Sequence, residues 1–375
     1  MNVLEVFGEP IASGGQESFV FNVLQNIDRT DLQIDFFTPY SCSNPYYEAL
    51  IREYAGRLFC GNLSFRPGAS RRNIILPLKK VLENEEYDAV HVHSGSISVL
   101  AYSSYTAHHC GVPNIIVHSH STVIRDNLKY RLTKAYGAFF FHRYPTQFCA
   151  CSKEAGACKF PNDITAGRLQ IVRNGIDLSC FAYNPLVRSE YRKKLGISEN
   201  TLLIGHVGRF AQQKNHRFDL DILEELKKRT ETDIRLLWIG EGELEEELRR
   251  MVTERNLQKE VIFGGVVMNV QDYLQAMDMF ILPSLFEGLG IVGVEAQAAG
   301  LPVPVSDRVP QELALTDSVS LLSLDNPGLW ADAILNTGKT RALENPEKLL
   351  AAGYDIRQTA AVVRKLYFPD PRDKA

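Results

Sequence analysis

Short apolar runs rich in β-branched residues alternate with longer amphipathic stretches along almost the whole chain, and the alternation runs through twice. Residues 3–7, 32–37, 89–93, 114–118, 147–151 and 169–172 read as buried strands. Helical patterns at 16–27, 72–83 and 97–110 lie between them. Residues 202–207, 235–239, 261–263, 279–282 and 302–305 repeat the rhythm, with helices predicted over 215–229, 243–255 and 290–299. Strands that are apolar on both faces belong in parallel sheets covered by helices on both sides. Two such series predict an α/β chain of two doubly wound, Rossmann-like domains. A length of 375 residues also exceeds what one core usually organises.

Turn chemistry at 174–177 and the break at Tyr183-Asn184-Pro185 place the domain boundary near 181–185. Residues 1–183 are expected to form the first domain and 184–354 the second. A last amphipathic stretch, 356–367, follows the final strand and is expected to cross back. Residues 355–375 are therefore assigned to the first domain.

Composition excludes several classes. A formal net charge of -4 gives no general attraction for nucleic acid. Residues 1–182 carry 17 Lys and Arg against 16 Asp and Glu, while the remainder carries 24 against 29. Any anion site in the second half must rest on local geometry. The cysteine count is odd, 7, and no Cys-x2-Cys pair suggests a zinc site. Reduced thiols and the lack of a signal-like start predict a cytoplasmic protein, with a peripheral position on the inner face of the cell membrane as the alternative.

Open parallel sheets bind ligands beyond the carboxyl ends of their strands, so the segments after the strands matter most. After the first comes Ser13-Gly14-Gly15-Gln16-Glu17, either an anion-accepting helix start or a plain tight turn. After the fourth comes His118-Ser119-His120-Ser121, whose imidazoles could face a sugar or phosphate or serve as core residues. His91 and His93 alternate on one face. With no carboxylate or third ligand near them in sequence, a metal site is discounted.

In the second half, Gly208-Arg209 is followed by Lys214 at the start of a helix. Two cations beside helix amides suit a diphosphate, and a solvated basic turn is the plainer alternative. The segment from Ser284 to Ala296 holds Glu287 and, eight residues on, Glu295. Glu287 would stand at a helix mouth and Glu295 in an apolar helical run, where a carboxylate needs a partner such as a ribose. A first-turn acid and an exposed helix residue are the plainer readings.

Taken in order, these fragments resemble the retaining glycosyltransferase family 4 of GT-B fold, in its bacterial exopolysaccharide and capsule branch. The match runs through Gly14-Gly15-x-Glu17, His118-Ser119-His120, Cys151-Ser152-Lys153-Glu154, Asn174-Gly175-Ile176-Asp177, Gly208-Arg209 with Lys214, Gly240-Glu241-Gly242, and Pro283-Ser284-x2-Glu287-Gly288 with Glu295. The resemblance implies two domains facing a central cleft and a nucleotide-sugar donor, UDP-linked first and GDP-mannose second, with no further cofactor and no metal. It implies that Arg209 and Lys214 bind the diphosphate, Glu287 the sugar and Glu295 the ribose. The amides of Gly288, Leu289 and Gly290 would contact sugar and phosphate, and His118 or His120 would reach the sugar. Gly14 and Gly15 would lie near the diphosphate and acceptor, with Asn174, Gly208 and Gly242 in the same binding set. Gly290 stands where many relatives carry proline, an exchange expected to loosen the loop. Pro304 is expected to mark an edge or bulge.

Residues 125–144 combine Arg125, Lys129, Arg131, Lys134 and Arg143 with Phe139-Phe140-Phe141. Docking on an anionic membrane beside a lipid-linked glycan acceptor is one reading. A buried helix with a solvated basic face is the other. A sugar-nucleotide epimerase of the same architecture and a silent partner subunit of another transferase are the competing functions.

Overall fold

A computed structural model describes residues 1–12, 14–66, 69–121 and 128–369 of the chain. Ser13 and Arg125 lie outside the described residues. The chain divides into two compact units, Met1–Gly175 with the segment from Ile356 onward, and Ile176–Asp355.

The first unit holds seven parallel strands: β1 (Asn2–Phe7), β2 (Gln33–Thr38), β3 (Leu58–Cys60), β4 (Ala89–Ser94), β5 (Asn114–Ser119), β6 (Gln147–Ala150) and β7 (Leu169–Ile171). Their order is β3-β2-β1-β4-β5-β6-β7, so the winding reverses between β1 and β4. Alternating side chains feed two cores. Val3, Phe7, Ile34, Phe36 and Ile116 face one way, and Leu4, Val6, Val90, Val92 and Val117 the other. The helix Ile356–Tyr367 belongs to this unit because Ile356, Ala360, Val363 and Tyr367 recur at helical spacing and bury in the first of these cores. Its last turn is held by Asn114 and Gln147, whose amides donate to the Leu366 carbonyl at 2.8 and 2.7 Å. The short strand β3 has no periodicity of its own to betray it in the sequence.

The second unit holds β8 (Leu202–Val207), β9 (Ile234–Ile239), β10 (Val261–Gly265) and β11 (Met279–Phe280) in the order β10-β9-β8-β11. Strands β12 (Val303–Ser306) and β13 (Val319–Leu322) pair in parallel beside them. Pro304 meets the expectation of an edge, since β12 lies in a two-stranded sheet with β13, and it makes no bulge. It lies inside β12 in unbroken register opposite Ser320, and its carbonyl accepts from Leu282 N at 3.0 Å. Proline has no amide hydrogen, so the β11–β12 ladder narrows here to the isolated bridge between Leu282 and Val305.

The boundary expected near 181–185 falls several residues after the observed division. Ile176 and Leu178 already bury in the core of the second unit, and Ile176 N donates to the Tyr354 carbonyl at 2.9 Å. The outgoing and returning strands of chain are thereby pinned side by side.

Candidate functional site

In the second unit the winding reverses between β8 and β11, and the segments following both strands meet there. Such a reversal leaves a crevice at the carboxyl ends of the strands. The turn after β8 packs backbone to backbone against the turn after β9. Gly208 N donates to Ile239 O at 2.9 Å and Phe210 N to Glu241 O at 2.8 Å. A Cβ at Gly240 would lie 2.2 Å from the Gly208 carbonyl oxygen, and one at Gly242 would lie 2.5 Å from that of Phe210. Glycine is needed at this approach because any side chain would force the turns apart.

Asn215 takes a left-handed conformation, φ 59°, which asparagine tolerates better than most residues, and opens the helix His216–Lys227. Its side-chain amide donates to Pro283 O at 3.1 Å, while Leu285 N donates to Gln213 O at 2.8 Å. These bonds fix the Lys214 turn to the segment after β11. Lys214 Nζ then lies 2.7 Å from Glu287 Oε1, and both side chains are largely buried. Ser284 Oγ donates to the same carboxylate oxygen at 2.6 Å, and Gln213 Nε2 approaches Oε2 at 3.4 Å.

Four residues of the expected set therefore converge: Gly208, Lys214, Glu287 and Glu295. Glu287 stands in the loop ahead of the helix Ile291–Ala298, and Glu295 in its second turn. Burial pushes the Glu295 carboxyl up to about 7, against the pull of nearby Lys214. Arg209 does not join them. Its side chain is 70% exposed, with Glu243 3.9 Å away. Gly288, Leu289 and Gly290 lead into the helix, and Gly290 has φ +80°. Proline cannot adopt that angle, so the glycine is what this turn requires rather than a loosening of it.

Sequence reasoning missed what lies beneath Lys214. His206 on β8 stacks on His216 with ring centroids 4.1 Å apart, and His206 Nδ1 lies 2.8 Å from Asp219 Oδ2. The Trp238 indole N–H donates to the same oxygen at 2.7 Å. Burial lowers both histidines, with the Lys214 charge adding to the effect, and raises Asp219 to about 8. The only sequence signal was a histidine after the lysine turn with an acid three residues on.

In the first unit, the helix Gly15–Asn26 follows β1, but its N-terminus already holds an acid. The Glu17 carboxyl accepts from the backbone amides of Glu17 and Ala12, and burial raises it to about 7. Asn174 Oδ1, at the end of this unit, is buried without a partner among the described residues. His118 and His120 stand with His91 and His93 in one buried group. The sheet order corrects the premise on which a metal was discounted. Pairing β1 with β4 and β4 with β5 brings Glu5 and His118 to the His91–His93 pair. Ligand atoms of His91, His93 and His118 all lie within 4.8 Å of one another. Hydrogen bonds within the group occupy most of those atoms.

The helix Leu128–Phe141 departs from the reading of a buried helix with a solvated basic face. Leu128, Leu132, Tyr136 and Phe139 project outward along one stripe, while Phe140 and Phe141 are buried. The outward face is apolar and flanked by cations, with Arg143 stacked 3.8 Å over Phe139.

A fold of two doubly wound units, with an acid and a lysine paired at the winding reversal of the second, defines the class. The family described as Glycosyltransferase Family 4 matches residues 13–179, and Glycosyl transferases group 1 matches residues 187–353. The chain is 32% identical over 366 residues to EpsF of Bacillus subtilis, a protein named as a glycosyltransferase, covering 94% of this chain and 93% of that one. The chain belongs to the family 4 glycosyltransferases of GT-B fold. It is 24% identical over 335 residues to the UDP-Gal:alpha-D-GlcNAc-diphosphoundecaprenol alpha-1,3-galactosyltransferase of Escherichia coli, covering 86% of this chain and 85% of that one. The solved structure of Anabaena HepE in complex with UDP superposes with TM-score 0.76 at 16% identity, covering 97% and 99% of the two chains. At that identity the likeness shows the fold.

Proposed function

We propose that the chain moves a hexose or N-acetylhexosamine from a UDP-sugar to a growing, lipid-linked glycan during synthesis of a capsule, exopolysaccharide or other cell-surface glycan, with retention of anomeric configuration. The observation that carries this reading is the Lys214–Glu287 pair at 2.7 Å, set at the winding reversal and at the mouth of the Ile291–Ala298 helix. UDP is favoured over GDP-mannose because the HepE structures hold UDP and UDP-glucose and the Escherichia coli relative is named for UDP-Gal.

In this reading Lys214 and the exposed Arg209 bind the diphosphate, and Glu287 holds hydroxyls of the transferred sugar. The amides of Gly288, Leu289 and Gly290 meet sugar and phosphate, and Glu295 holds the ribose. His118 or His120 meets the sugar. The acceptor oxygen attacks the anomeric carbon on the face the phosphate leaves. The C–O bond to phosphate breaks, and the departing phosphate oxygen takes the acceptor proton. The test is acceptor-free hydrolysis across UDP-, GDP- and ADP-sugars, comparing wild type with Glu287→Ala. Slow nucleotide release from one donor, absent in the variant, is expected. No release together with no nucleotide binding overturns the reading, and interconversion of the sugar without release replaces it by epimerisation.

The Glu295 carboxyl, raised to about 7, gives a pH signature. Ribose hydroxyls donate more strongly to a carboxylate than to a carboxylic acid, so binding competes with the proton. Affinity for UDP-glucose, whose diphosphate has no group titrating there, is expected to rise about tenfold from pH 6 to pH 8 and then level off. Glu295→Gln should flatten that rise. An unchanged slope in the variant assigns the ribose elsewhere.

The outward stripe of Leu128, Leu132, Tyr136 and Phe139, with Arg131 and Lys134 on the same helix and Arg143 just after it, suits an anionic lipid surface where a lipid-linked acceptor would lie. Co-sedimentation is expected with vesicles containing phosphatidylglycerol and to fall with Leu132→Glu. Equally poor binding to neutral and anionic vesicles rejects the docking.

A further inference from the structure

Glu5, His91, His93, His118, His120 and Tyr367 form one buried set whose connectivity fixes where its protons sit, and Glu5 is the branch point. On one arm, Glu5 Oε2 lies 2.6 Å from His93 Nε2, and His93 Nδ1 lies 2.9 Å from His120 Nε2. On the other arm, Glu5 Oε1 accepts from the Tyr367 hydroxyl. That hydroxyl lies 3.0 Å from His91 Nδ1, and His91 Nε2 lies 3.2 Å from His118 Nδ1. The arms end at His120 Nδ1 and His118 Nε2, both buried and without a partner among the described residues.

A neutral imidazole has one N–H and one lone pair, a phenol has one O–H, and a carboxylate only accepts. Burial keeps all four imidazoles neutral and the Tyr367 hydroxyl protonated, and it raises the Glu5 carboxyl as well, against the pull of His91 and the Tyr367 hydrogen bond. Four imidazole protons and one phenolic proton therefore serve five hydrogen bonds. With a carboxylate at Glu5, only one arrangement fills every bond. His120 Nε2–H donates to His93, and His93 Nε2–H donates to Glu5. His118 Nδ1–H donates to His91, His91 Nδ1–H to the Tyr367 oxygen, and Tyr367 O–H to Glu5. Both arms then end in a lone pair. One more proton at Glu5 would reverse one arm and turn its end into a donor.

We propose that Glu5 is a positioning residue that, acting through both arms, makes His118 Nε2 and His120 Nδ1 acceptors for a hydroxyl-bearing ligand. The tautomers follow from the network alone, whereas assigning the hydroxyl to a donor sugar rests on the function proposed above. The choice of ligand group follows from the lone pairs. The imidazoles of His118 and His120 stack at 4.1 Å, and the Phe19 ring lies 5.1 Å from each. A phosphate oxygen has no hydrogen to give them and would meet two lone pairs in an apolar shell, while a hydroxyl satisfies one. These histidines are therefore suited to a hydroxyl and not to a phosphate oxygen.

Long-range proton–nitrogen spectra of 15N-histidine protein report imidazole tautomers directly. Wild type is expected to show His118 protonated at Nδ1 and His120 at Nε2. Glu5→Gln keeps the shape but supplies one fixed N–H donor, so one of the two ends should reverse. Other tautomers in the wild type, or unchanged ones in the variant, overturn the proposal. Should that variant not fold, Tyr367→Phe cuts a single arm. His118 should then lose its fixed tautomer while His120 keeps its own, and any other pattern counts against the network. Calorimetry tests the ligand. Glu5→Gln should weaken UDP-glucose severalfold and leave UDP unchanged, because a hydroxyl that donated to the lone pair must turn to accept from the reversed N–H and give up its other partner. Equal effects on both reject the hydroxyl contact. Wild type that binds neither nucleotide rejects the proposed function and leaves the tautomer assignment standing.

Discussion

Replacing Lys214 with alanine is expected to lower kcat about 100- to 1000-fold while changing donor affinity only a few-fold. The argument is differential binding. A diphosphate is already anionic in the ground state, so an ammonium beside it helps binding. More charge gathers on the departing phosphate as the bond to the anomeric carbon breaks, and the ammonium then helps more. The site gives Lys214 the setting for that role. It is largely buried, anchored by the Asn215 and Gln213 bonds to the segment after β11, and paired to Glu287 at 2.7 Å. The same pairing complicates a single substitution, because removing Lys214 leaves the Glu287 carboxylate with Ser284 and Gln213. A double-mutant cycle with Glu287→Gln separates the two effects. Equal losses in kcat and affinity, or no loss in kcat, would remove Lys214 from the chemistry.

What was legible in the sequence is what neighbouring residues decide among themselves. The run 202–207 is apolar but for His206 because both its faces bury, and it forms β8 over that span. The Glu287–Glu295 spacing could be placed on a helix and its mouth because Gly288 and Gly290 mark where the helix starts. Features set by distant partners were not legible. Glu5, His91, His118 and Tyr367 are spread across nearly the whole chain, and only the order β1-β4-β5 with the returning helix brings them together. The histidines alone looked short of a carboxylate because their carboxylate lies on another strand. Pro304 was legible because the rule is local: the proline falls in β12 of a two-stranded sheet, with its pairing to β13 intact and the lost bond on the side of β11.

Gly290 joins the two scales, and Gly290→Pro is expected to raise the Kd for UDP-glucose by at least about 100-fold. Here φ at that residue is +80°, and proline is held near -65°. The loop between Glu287 and the helix Ile291–Ala298 would have to turn the other way. That moves the Glu287 carboxylate off Lys214 and re-aims the first amides of the helix, so sugar and phosphate contacts fail together. Forcing a ring into an incompatible φ costs about 3 kcal/mol or more, which sets the size of the expected loss. Gly290→Ala separates backbone from bulk. A Cβ there would sit 3.2 Å from the nearest Leu282 carbon, a small adjustment. Alanine should therefore cost only the left-handed conformation, about 1–2 kcal/mol, and lower affinity about tenfold. Calorimetry with UDP-glucose, read beside Tm, distinguishes the outcomes. If the proline variant keeps wild-type affinity and Tm, the loop binds donor in a different turn from the one described. If Tm falls while the folded fraction binds normally, the turn supports the fold and not the donor.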